Sequence, residues 1–294
     1  MTFEMEFLEA SDKILREVIP PRRKTSHKGD NGRILVVGGS HLYHGAPVFS
    51  ALSAYRCGVD LVYVAVPKPL VTPVRAYSPS LIVMPLPDLR LTEGCVNKIV
   101  KNLERGRINV DSAAVGSGMG KTGAKEVGLL TYKFSRMDVG VVLDGGALQS
   151  GILDKVKGAN LVLTPHEGEF HRVFGIRPGT TLKERIAVVK ETAGNFQVTV
   201  LLKGIIDIIS NGEAVAINRL GNPGMTVGGT GDVLCGVVAA LLARGVKPFK
   251  SALAAAYINS AAGERALRRW GLHFTAEDLL VEIPRVMSRF DRIV

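Results

Sequence analysis

Short apolar runs alternate with helical patterns over much of this 294-residue chain. The run Arg33 to Val37, for example, is followed by Gly38 and Gly39 and then by a helical pattern over 45–55. Continuous apolar runs of this length are typical of parallel strands that are buried on both faces. Further strands are predicted at 61–66, 81–84, 110–115, 139–143 and 161–163, and further helices at 93–103, 124–134 and after Glu167. This order predicts a mostly parallel sheet with right-handed crossovers and helices on both faces.

The two ends of the chain depart from this alternation. Apolar runs at 198–202, 205–209 and 214–217 predict three strands, and Asn211-Gly212 predicts a hairpin between the last two. Three helices are predicted to finish the chain, and an amphipathic helix at 5–17 is predicted near its start. Because there is no linker or break in composition, one domain over 1–294 is expected, in which 1–27 form the N-terminal helix and a basic loop.

The composition indicates which classes of ligand and which cellular location are expected for this protein. The formal net charge of +10 suits an anionic ligand such as a nucleotide. The densest basic cluster, 22–24 with Lys28 and Arg33, contains no aromatic residue for base stacking, so we expect a solvated surface and no nucleic acid. The three cysteines lie far apart and show no metal-binding spacing. An acidic N-terminus, and no uncharged apolar run of about 18 residues, predict a cytosolic protein without a membrane segment.

The stretch from Asn222 to Gly236 reads NPGMTVGGTGDVLCG and is predicted to be a ligand-binding turn. Its glycines let the backbone N–H groups converge on an anion, and the N-terminus of the helix that follows favours negative charge. The N–H groups of Gly229, Thr230 and Gly231 are therefore predicted to form an anion hole.

Asp232 lies directly before the predicted helix 233–242 and has two interpretations. Asp is a preferred N-cap residue, because its carboxylate accepts hydrogen bonds from the first helical turn. The glycines before Asp232 favour a second interpretation, since capping does not require them. In that interpretation Asp232 is a general base that accepts a proton beside a bound phosphate.

The string VGSGMGKT, at 115–122, is similar to known phosphate-binding loops but fails their spacing. Val115 stands where the Walker A motif requires glycine, and Gly120 comes one residue early for the dinucleotide motif G-x-G-x-x-G. The remaining interpretation is a glycine turn after a strand, which brings the backbone close to a ligand.

Two further strings combine charged residues with strand ends. The string TPHEGEF, at 164–170, has two interpretations. In the first, His166 and Glu167 belong to an ordinary helix start. In the second, Glu167 and Glu169 organise a metal-bound phosphate. In LLKGIIDII, Lys203 follows an apolar strand and by itself indicates a solvated lysine in a strand–turn–strand.

Taken together, these motifs resemble the ADP- or ATP-dependent NAD(P)H-hydrate dehydratases, which repair hydrated nicotinamide cofactors. GGTGD resembles the wider group of ribokinase-like kinases, whereas NPGM before it and the PHEGEF string are specific to the dehydratases. The resemblance runs from about Lys28 to Ala262. It implies a ribokinase-like three-layer α/β/α sandwich and the nucleotide-driven dehydration of the S epimer of hydrated NADH or NADPH.

The resemblance also implies roles for particular residues. Asp232 would be the catalytic base, and Mg²⁺ would bridge the phosphates through ligands that the resemblance does not assign. A homo-oligomer such as a tetramer is typical of the family. The substrate would contact Ala46, Gly118, His166 and Asp232, and the nucleotide, ADP or ATP, would contact Lys203, Gly204, Ile205, Ile206, Asp207 and Gly231.

The chain departs from the family pattern in two places. Gly146 replaces the second Asp of the family's Asp-Ala-Asp-Ala-Leu string, although Asp144 is retained, and Asp207 stands where family members often have Thr. Many members carry an upstream epimerase domain. Only 27 residues precede Lys28, so epimerase activity is not expected.

Two alternative functions share some of these motifs. A ribokinase-like kinase that phosphorylates a hydroxymethyl heterocycle or a sugar would share GGTGD but not NPGM. A basic nucleic-acid-binding protein with a degenerate kinase fold would not need Asp232 and its glycines. By resemblance, ADP is the expected nucleotide.

Overall fold

The computed structural model describes residues 7–120, 123–153, 156 and 160–294. The described residues form ten strands: β1 (Leu8–Glu9), β2 (Arg33–Val37), β3 (Leu61–Pro67), β4 (Ile82–Leu86), β5 (Ser112–Val115), β6 (Gly140–Leu143), β7 (Leu161–Leu163), β8 (Thr199–Leu202), β9 (Asp207–Ser210) and β10 (Val215–Asn218). They also form ten α-helices: α1 (Asp12–Val18), α2 (Gly45–Arg56), α3 (Val71–Tyr77), α4 (Glu93–Glu104), α5 (Ala124–Ser135), α6 (Glu167–Phe174), α7 (Leu182–Phe196), α8 (Thr230–Ala243), α9 (Pro248–Trp270) and α10 (Ala276–Met287).

All ten strands belong to one sheet, in the order β1-β10-β9-β8-β7-β6-β5-β2-β3-β4. Strand β9 is antiparallel to β8 and β10, and the other pairs are parallel. The predicted hairpin at Asn211-Gly212 joins β9 to β10 and is confirmed. The predicted mostly parallel sheet is confirmed as well.

Helices cover both faces of the sheet, and each face has its own apolar core. Alternate residues of β2 show the division, since Ile34 and Val36 pack in one core while Leu35 and Val37 pack in the other. The first core lies beneath α2, α8, α9 and α10, and the second lies beneath α4, α5, α6 and α7. This is the predicted three-layer arrangement, in which parallel strands are buried on both sides.

Several predicted boundaries were wrong. The helix predicted at 5–17 begins at Asp12, because Leu8 and Glu9 pair with β10 as an edge strand. Residues 5 and 6 of that prediction lie outside the described residues. The strand predicted at 205–209 begins at Asp207, because Ile205 is almost fully exposed in the preceding turn.

The carboxyl edge of the sheet, where the parallel strands end, is where the predicted glycine turns meet. Val37, Val115 and Leu143 are neighbours across β2, β5 and β6, so the turns after them lie side by side. Among the described residues, no helix is long and apolar enough to cross a membrane.

Candidate active site

A cavity of about 840 Å³ opens at the carboxyl edge of the sheet. Its walls include Ala46, Gly118 and Asp232, three of the four residues predicted to bind the substrate, together with Gly229 of the predicted anion hole. His166 is not a wall residue, although Glu169 of the same helical turn is. The cavity therefore joins segments that are far apart in sequence.

Ala46 and Gly118 form one wall because the two backbones approach closely. A Cβ atom on Gly118 would stand 2.7 Å from the Cβ of Ala46 and 2.6 Å from the carbonyl oxygen of Tyr43. Any side chain at 118 would therefore displace the loop that precedes α2. The string VGSGMGKT ends at Lys121 and Thr122, which lie outside the described residues.

The glycine stretch ends in the first turn of α8, which begins earlier than predicted. Gly229 is the N-cap with φ +98°, and Thr230, Gly231 and Asp232 are the first three helical residues. The interpretation of Asp232 as an N-cap was therefore wrong. A Cβ on Gly229 would lie 2.9 Å from the Phe49 ring, so a larger residue would not fit this turn.

The first turn of α8 leaves its N–H groups free to bind an anion. The first four N–H groups of a helix have no intrahelical partner, and the helix dipole makes this end positive. Gly229 and Gly231 bring no side chain that covers these groups. The Thr230 hydroxyl donates hydrogen bonds to the carbonyls of Met225, at 2.8 Å, and Val227, at 3.2 Å, so it holds the turn in place.

Two carboxylates and one ammonium group form a buried cluster near Asp232. The Lys203 Nζ lies 2.8 Å from Asp144 Oδ1 and 3.8 Å from Glu169 Oε2. Thr164 Oγ1 donates a further hydrogen bond to Asp144 Oδ1 at 2.8 Å. Burial alone would lower the pKa of Lys203, but the carboxylates of Asp144 and Glu169 raise it above its usual value. Lys203 is therefore a charged lysine in this cluster.

The same cluster changes the proton affinity of Asp232. Burial and the nearby Asp144 carboxylate raise the pKa of Asp232 to about 7, although Ser117 and Lys203 act in the opposite direction. A general base works best when its pKa lies near the working pH. Asp232 therefore has the position and the proton affinity of a general base.

His166 is the N-cap of α6, as the ordinary helix-start interpretation predicts. Its Nδ1 accepts hydrogen bonds from the N–H groups of Gly168, at 3.0 Å, and Glu169, at 3.4 Å. The Glu169 carboxylate accepts the His166 N–H at 2.9 Å, which completes a capping box. The His166 Nε2 lies 3.5 Å from Glu169 Oε1, and the ring is more than half exposed.

Glu167 and Glu169, which one interpretation of PHEGEF pairs around a metal-bound phosphate, have different partners in this structure. Glu167 is half exposed and lies 3.2 Å from the Arg185 guanidinium, whereas Glu169 is buried beside Lys203. Among the described residues, no group of three or more His, Cys, Asp or Glu side chains is placed to hold a metal ion.

The predicted nucleotide segment 203–207 forms a tight turn next to the glycine stretch. Lys203 Nζ lies 3.4 Å from the position that a Cβ on Gly231 would occupy, so the two segments are in contact. The Asp207 carboxylate accepts hydrogen bonds from the Gly204 N–H, at 3.1 Å, and from Asn218, at 3.0 Å. Burial raises the pKa of Asp207 to about 6. In this arrangement Asp207 holds the turn closed, and Ile205 is exposed.

Gly146 has a structural explanation. A Cβ at this position would stand 2.1 Å from the carbonyl oxygen of Met119, so the Asp that the family commonly has would not fit this backbone. The turn after β6 and the turn after β5 are in direct contact here. Asp144 keeps its place at the end of β6 and faces Lys203.

Sequence reasoning missed several residues of the site. The ion pair between Asp144 and Lys203 joins residues that are 59 positions apart, and neither string indicates the other. Arg172 follows Glu169 by one helical turn and lines the same cavity, a placement that a 3.6-residue period does suggest. The cavity is also lined by Leu42, Tyr43, His44, Phe49 and Gln149.

A mostly parallel sheet, a glycine-lined helix N-terminus and a buried carboxylate of raised pKa describe an α/β protein with an anion-binding type of site. Known proteins agree with this class. The family model for NAD(P)H-hydrate dehydratases matches residues 34–285. The chain is 47% identical over 279 residues to the ADP-dependent (S)-NAD(P)H-hydrate dehydratase of Cenarchaeum symbiosum, and the match covers 95% of this chain and 96% of that protein.

Two solved structures show the same fold. The ADP/ATP-dependent NAD(P)H-hydrate dehydratase from Bacillus subtilis, co-crystallized with ATP/Mg²⁺, superposes with a TM-score of 0.83 at 27% identity, covering 98% of this chain and all of that one. A ribokinase-like superfamily protein from Enterococcus faecalis has a TM-score of 0.82 at 24% identity, covering 97% of each chain. The predicted ribokinase-like fold is confirmed, and the chain belongs to the NAD(P)H-hydrate dehydratase family.

Proposed function

We propose that this protein uses ADP to dehydrate the S epimer of hydrated NADH or NADPH and so restores the reduced cofactor. The observation that carries the proposal is the position of Asp232, a carboxylate with a pKa of about 7 in the anion-binding turn of α8 and on the wall of a large cavity. The relative from Cenarchaeum symbiosum is named for dependence on ADP, which favours ADP over ATP.

The reaction divides into a transfer and an elimination. Asp232 accepts the proton of the hydroxyl group on the hydrated ring, and the oxygen attacks the terminal phosphorus atom of ADP, so that AMP leaves. Phosphate then leaves the ring with the C–O bonding electrons, and the neighbouring carbon loses a proton. The ring double bond forms again, and the products are reduced cofactor, AMP and phosphate.

The first turn of α8 offsets the charge of the transferring group. The free N–H groups of Gly229, Thr230 and Gly231 point towards the end of the helix where negative charge is favoured. Donors that are already in place lose little energy by reorganising during the reaction, and one such donor is worth about 3 kcal/mol in comparable sites. We propose that the turn 203–207, which contacts Gly231, holds the nucleotide beside this helix end.

Two other contacts follow from the cavity walls. Ala46 and Gly118 bind the hydrated nicotinamide ring by close backbone approach. His166 lies outside the cavity wall and would contact the hydrate from the exposed edge of α6. Arg172 is the wall residue that carries a permanent positive charge among the described residues, and it binds the phosphates of the dinucleotide.

Magnesium fits this site as a companion of the nucleotide. Asp144, Glu169 and Asp232 outnumber Lys203, so the cluster has an excess of negative charge where phosphates must bind. A divalent ion reduces this repulsion, and Mg²⁺ in proteins is commonly held by phosphate oxygens and water. The described residues offer no preformed cage for it. A cytosolic location and a homo-oligomer such as a tetramer remain predictions.

The test is to incubate the protein with hydrated NADPH and, separately, with ADP or ATP, and to follow the absorbance of the reduced cofactor. We expect reduced cofactor, AMP and phosphate in equal amounts with ADP, and no reaction without nucleotide. Asp232→Asn, which keeps the size of the side chain, is the control for contaminating activity. No conversion by the wild-type protein with either nucleotide would contradict the proposal. A stable phosphorylated product from a hydroxymethyl heterocycle or a sugar would favour the kinase alternative.

A further inference from the structure

Two buried serines connect the carboxylate of Asp232 to its own backbone. The Ser50 hydroxyl, on α2, donates a hydrogen bond to the main-chain carbonyl of Asp232 at 2.8 Å. The Ser50 Oγ also lies 2.7 Å from the Ser117 Oγ. The Ser117 hydroxyl in turn forms a hydrogen bond with the Asp232 carboxylate. Neither serine is more than 1% exposed.

We propose that Ser117 and Ser50 are positioning residues for catalysis, forming a hydroxyl chain that stabilises Asp232 both with and without its proton. This inference rests on the proposed role of Asp232 as the general base. The chain runs from the Asp232 carboxylate through the two hydroxyl groups and ends on the Asp232 carbonyl, so each hydroxyl group can donate in both states.

The two states differ in which groups donate. When Asp232 is ionised, the Ser50 hydroxyl donates to Ser117 and the Ser117 hydroxyl donates to the carboxylate. When Asp232 has accepted the substrate proton, its own O–H donates to Ser117. The Ser117 hydroxyl then rotates and donates to Ser50, and the Ser50 hydroxyl turns to donate to the Asp232 carbonyl. A hydroxyl group can serve as donor and acceptor, so the exchange requires rotation only.

The backbone around both serines keeps them in place. A Cβ on Gly236 of α8 would stand 2.1 Å from the Ser50 carbonyl oxygen, which shows how closely α2 and α8 pack. The Ser117 carbonyl accepts the Gly39 N–H at 2.8 Å, which ties the turn after β5 to the turn after β2. Ser117 has one further partner, because it also forms a hydrogen bond with the buried Cys235 thiol.

The other groups around Asp232 do not replace the serines. Asp144, at the end of β6, and Glu169, on α6, raise the pKa of Asp232, whereas Lys203, after β8, lowers it. Cys235, one turn along α8, is a buried thiol whose own pKa is raised by burial. The charged groups are unchanged in a serine variant, but Ser117→Ala also removes the hydrogen bond between Ser117 and Cys235. Cys235→Ala removes that bond alone and is the control that separates the two effects.

Measuring the pKa of Asp232 tests the hydroxyl chain independently of catalytic turnover. We expect Ser117→Ala to raise it by about one unit, because the ionised carboxylate loses a hydrogen bond. Ser50→Ala should raise it less, because Ser117 can still donate to Asp232. The measurement is carbon NMR of the full-length protein labelled at its aspartate carboxyl carbons, with Asp232→Asn to identify the signal.

Ser53 provides a matched control within the same helix. It is fully buried, and its hydroxyl donates to the Ser50 carbonyl rather than to the chain. Ser53→Ala should leave the pKa of Asp232 unchanged. Ser117→Thr keeps a hydroxyl group, so the pKa of Asp232 should stay close to its wild-type value in that variant. An unchanged pKa in both Ser117→Ala and Ser50→Ala would overturn the proposal, as would an equal shift in Ser53→Ala.

Turnover gives the second measurement. If the proposed reaction is correct, kcat/KM for the hydrate in Ser117→Ala should fall about tenfold below pH 7 and recover at higher pH, following the raised pKa. A wild-type protein that does not convert the hydrate would contradict the proposed function, and the NMR result would then still decide whether the chain exists. A loss of activity that is equal at every pH, with an unchanged pKa, would contradict the chain.

Discussion

The first turns of α7 and α8 place an acid at the same helical position and give it opposite properties. Glu184 is the third residue of α7, and Asp232 is the third residue of α8. The Glu184 carboxylate accepts the N–H groups of Thr180, at 3.0 Å, and Thr181, at 2.9 Å, and these hydrogen bonds lower its pKa to about 2. Burial and Asp144 raise the pKa of Asp232 to about 7.

The two helix starts also differ in their N-cap residues. Thr181 caps α7 and completes a capping box with Glu184, and α6 and α10 have capping boxes too. In α8 the N-cap is Gly229, which has no side chain to bind the first turn. The N–H groups of α8 therefore remain available for an anion, and its acid remains available for a proton. A helix start without a capping side chain can thus mark a site rather than a weak helix.

Replacing Asp232 should give the largest effect. Asp232→Asn keeps the shape of the side chain but cannot accept the substrate proton, so turnover should fall about 10²–10⁴-fold. Nucleotide binding and folding should be largely retained, because the N–H groups of the turn are unchanged. Steady-state kinetics with hydrated NADPH, and calorimetric titration with ADP, measure the two properties. Near wild-type turnover would mean that Asp232 is not the base.

The same variant should remove the contribution of Asp232 to the dependence of stability on pH. The pKa of Asp232 is higher in the folded protein than in the unfolded chain, so its contribution is complete below about 4 and is lost as the pH rises through about 7. Relative to Asp232→Asn, the wild-type free energy of unfolding should fall by about 4 kcal/mol over this range. Urea unfolding at a series of pH values measures the difference. Parallel curves for the two proteins would contradict the raised pKa.

Removing Lys203 should destabilise the protein by leaving Asp144 without its ion pair. Lys203→Met keeps much of the apolar stem, and the buried, unpaired carboxylate should lower the free energy of unfolding by about 3 kcal/mol. The double variant Lys203→Met with Asp144→Asn should recover part of the loss, because the Asp144 side chain then carries no charge and only Glu169 still lacks Lys203. Urea unfolding of the single and double variants gives the coupling energy. Additive losses would show that the two residues do not interact.

The sequence predicts the sheet and the glycine turns better than it predicts the side-chain cluster. Strands buried on both faces give continuous apolar runs, so β2, β3 and β6 are visible from local composition. The contact between Lys203 and Asp144 depends on the order of strands in the sheet, which no local pattern contains. The start of α8 was predicted at Val233 because glycine and threonine are poor helix formers. In the structure Gly229 is the N-cap and the helix begins at Thr230.

Changing His166 should separate a capping role from a substrate contact. His166→Ala removes both the cap of α6 and the imidazole ring, whereas His166→Asn keeps a side chain that can cap. If the ring contacts the hydrate, both variants should bind it about five- to tenfold more weakly while ADP binding is unchanged. Calorimetric titration of each ligand against each variant measures this. Hydrate affinity that is normal in His166→Asn would make His166 a cap only.

Replacing Glu184 should give the smallest effect and is the counterpart of the Asp232 variant. Glu184→Gln keeps the length of the side chain but removes the charge that the N–H groups of Thr180 and Thr181 favour. The pKa of Glu184 is lower in the folded protein than in the unfolded chain, so its contribution is present above about 4.5 and is lost as the pH falls through about 2. The variant should therefore unfold at a slightly lower temperature at neutral pH, with unchanged turnover. Thermal unfolding and steady-state kinetics at neutral pH measure both. A large loss of turnover in this variant would mean that an acid at a helix start affects turnover by stabilising the fold. The contrast between α7 and α8 would then no longer support a catalytic role for Asp232.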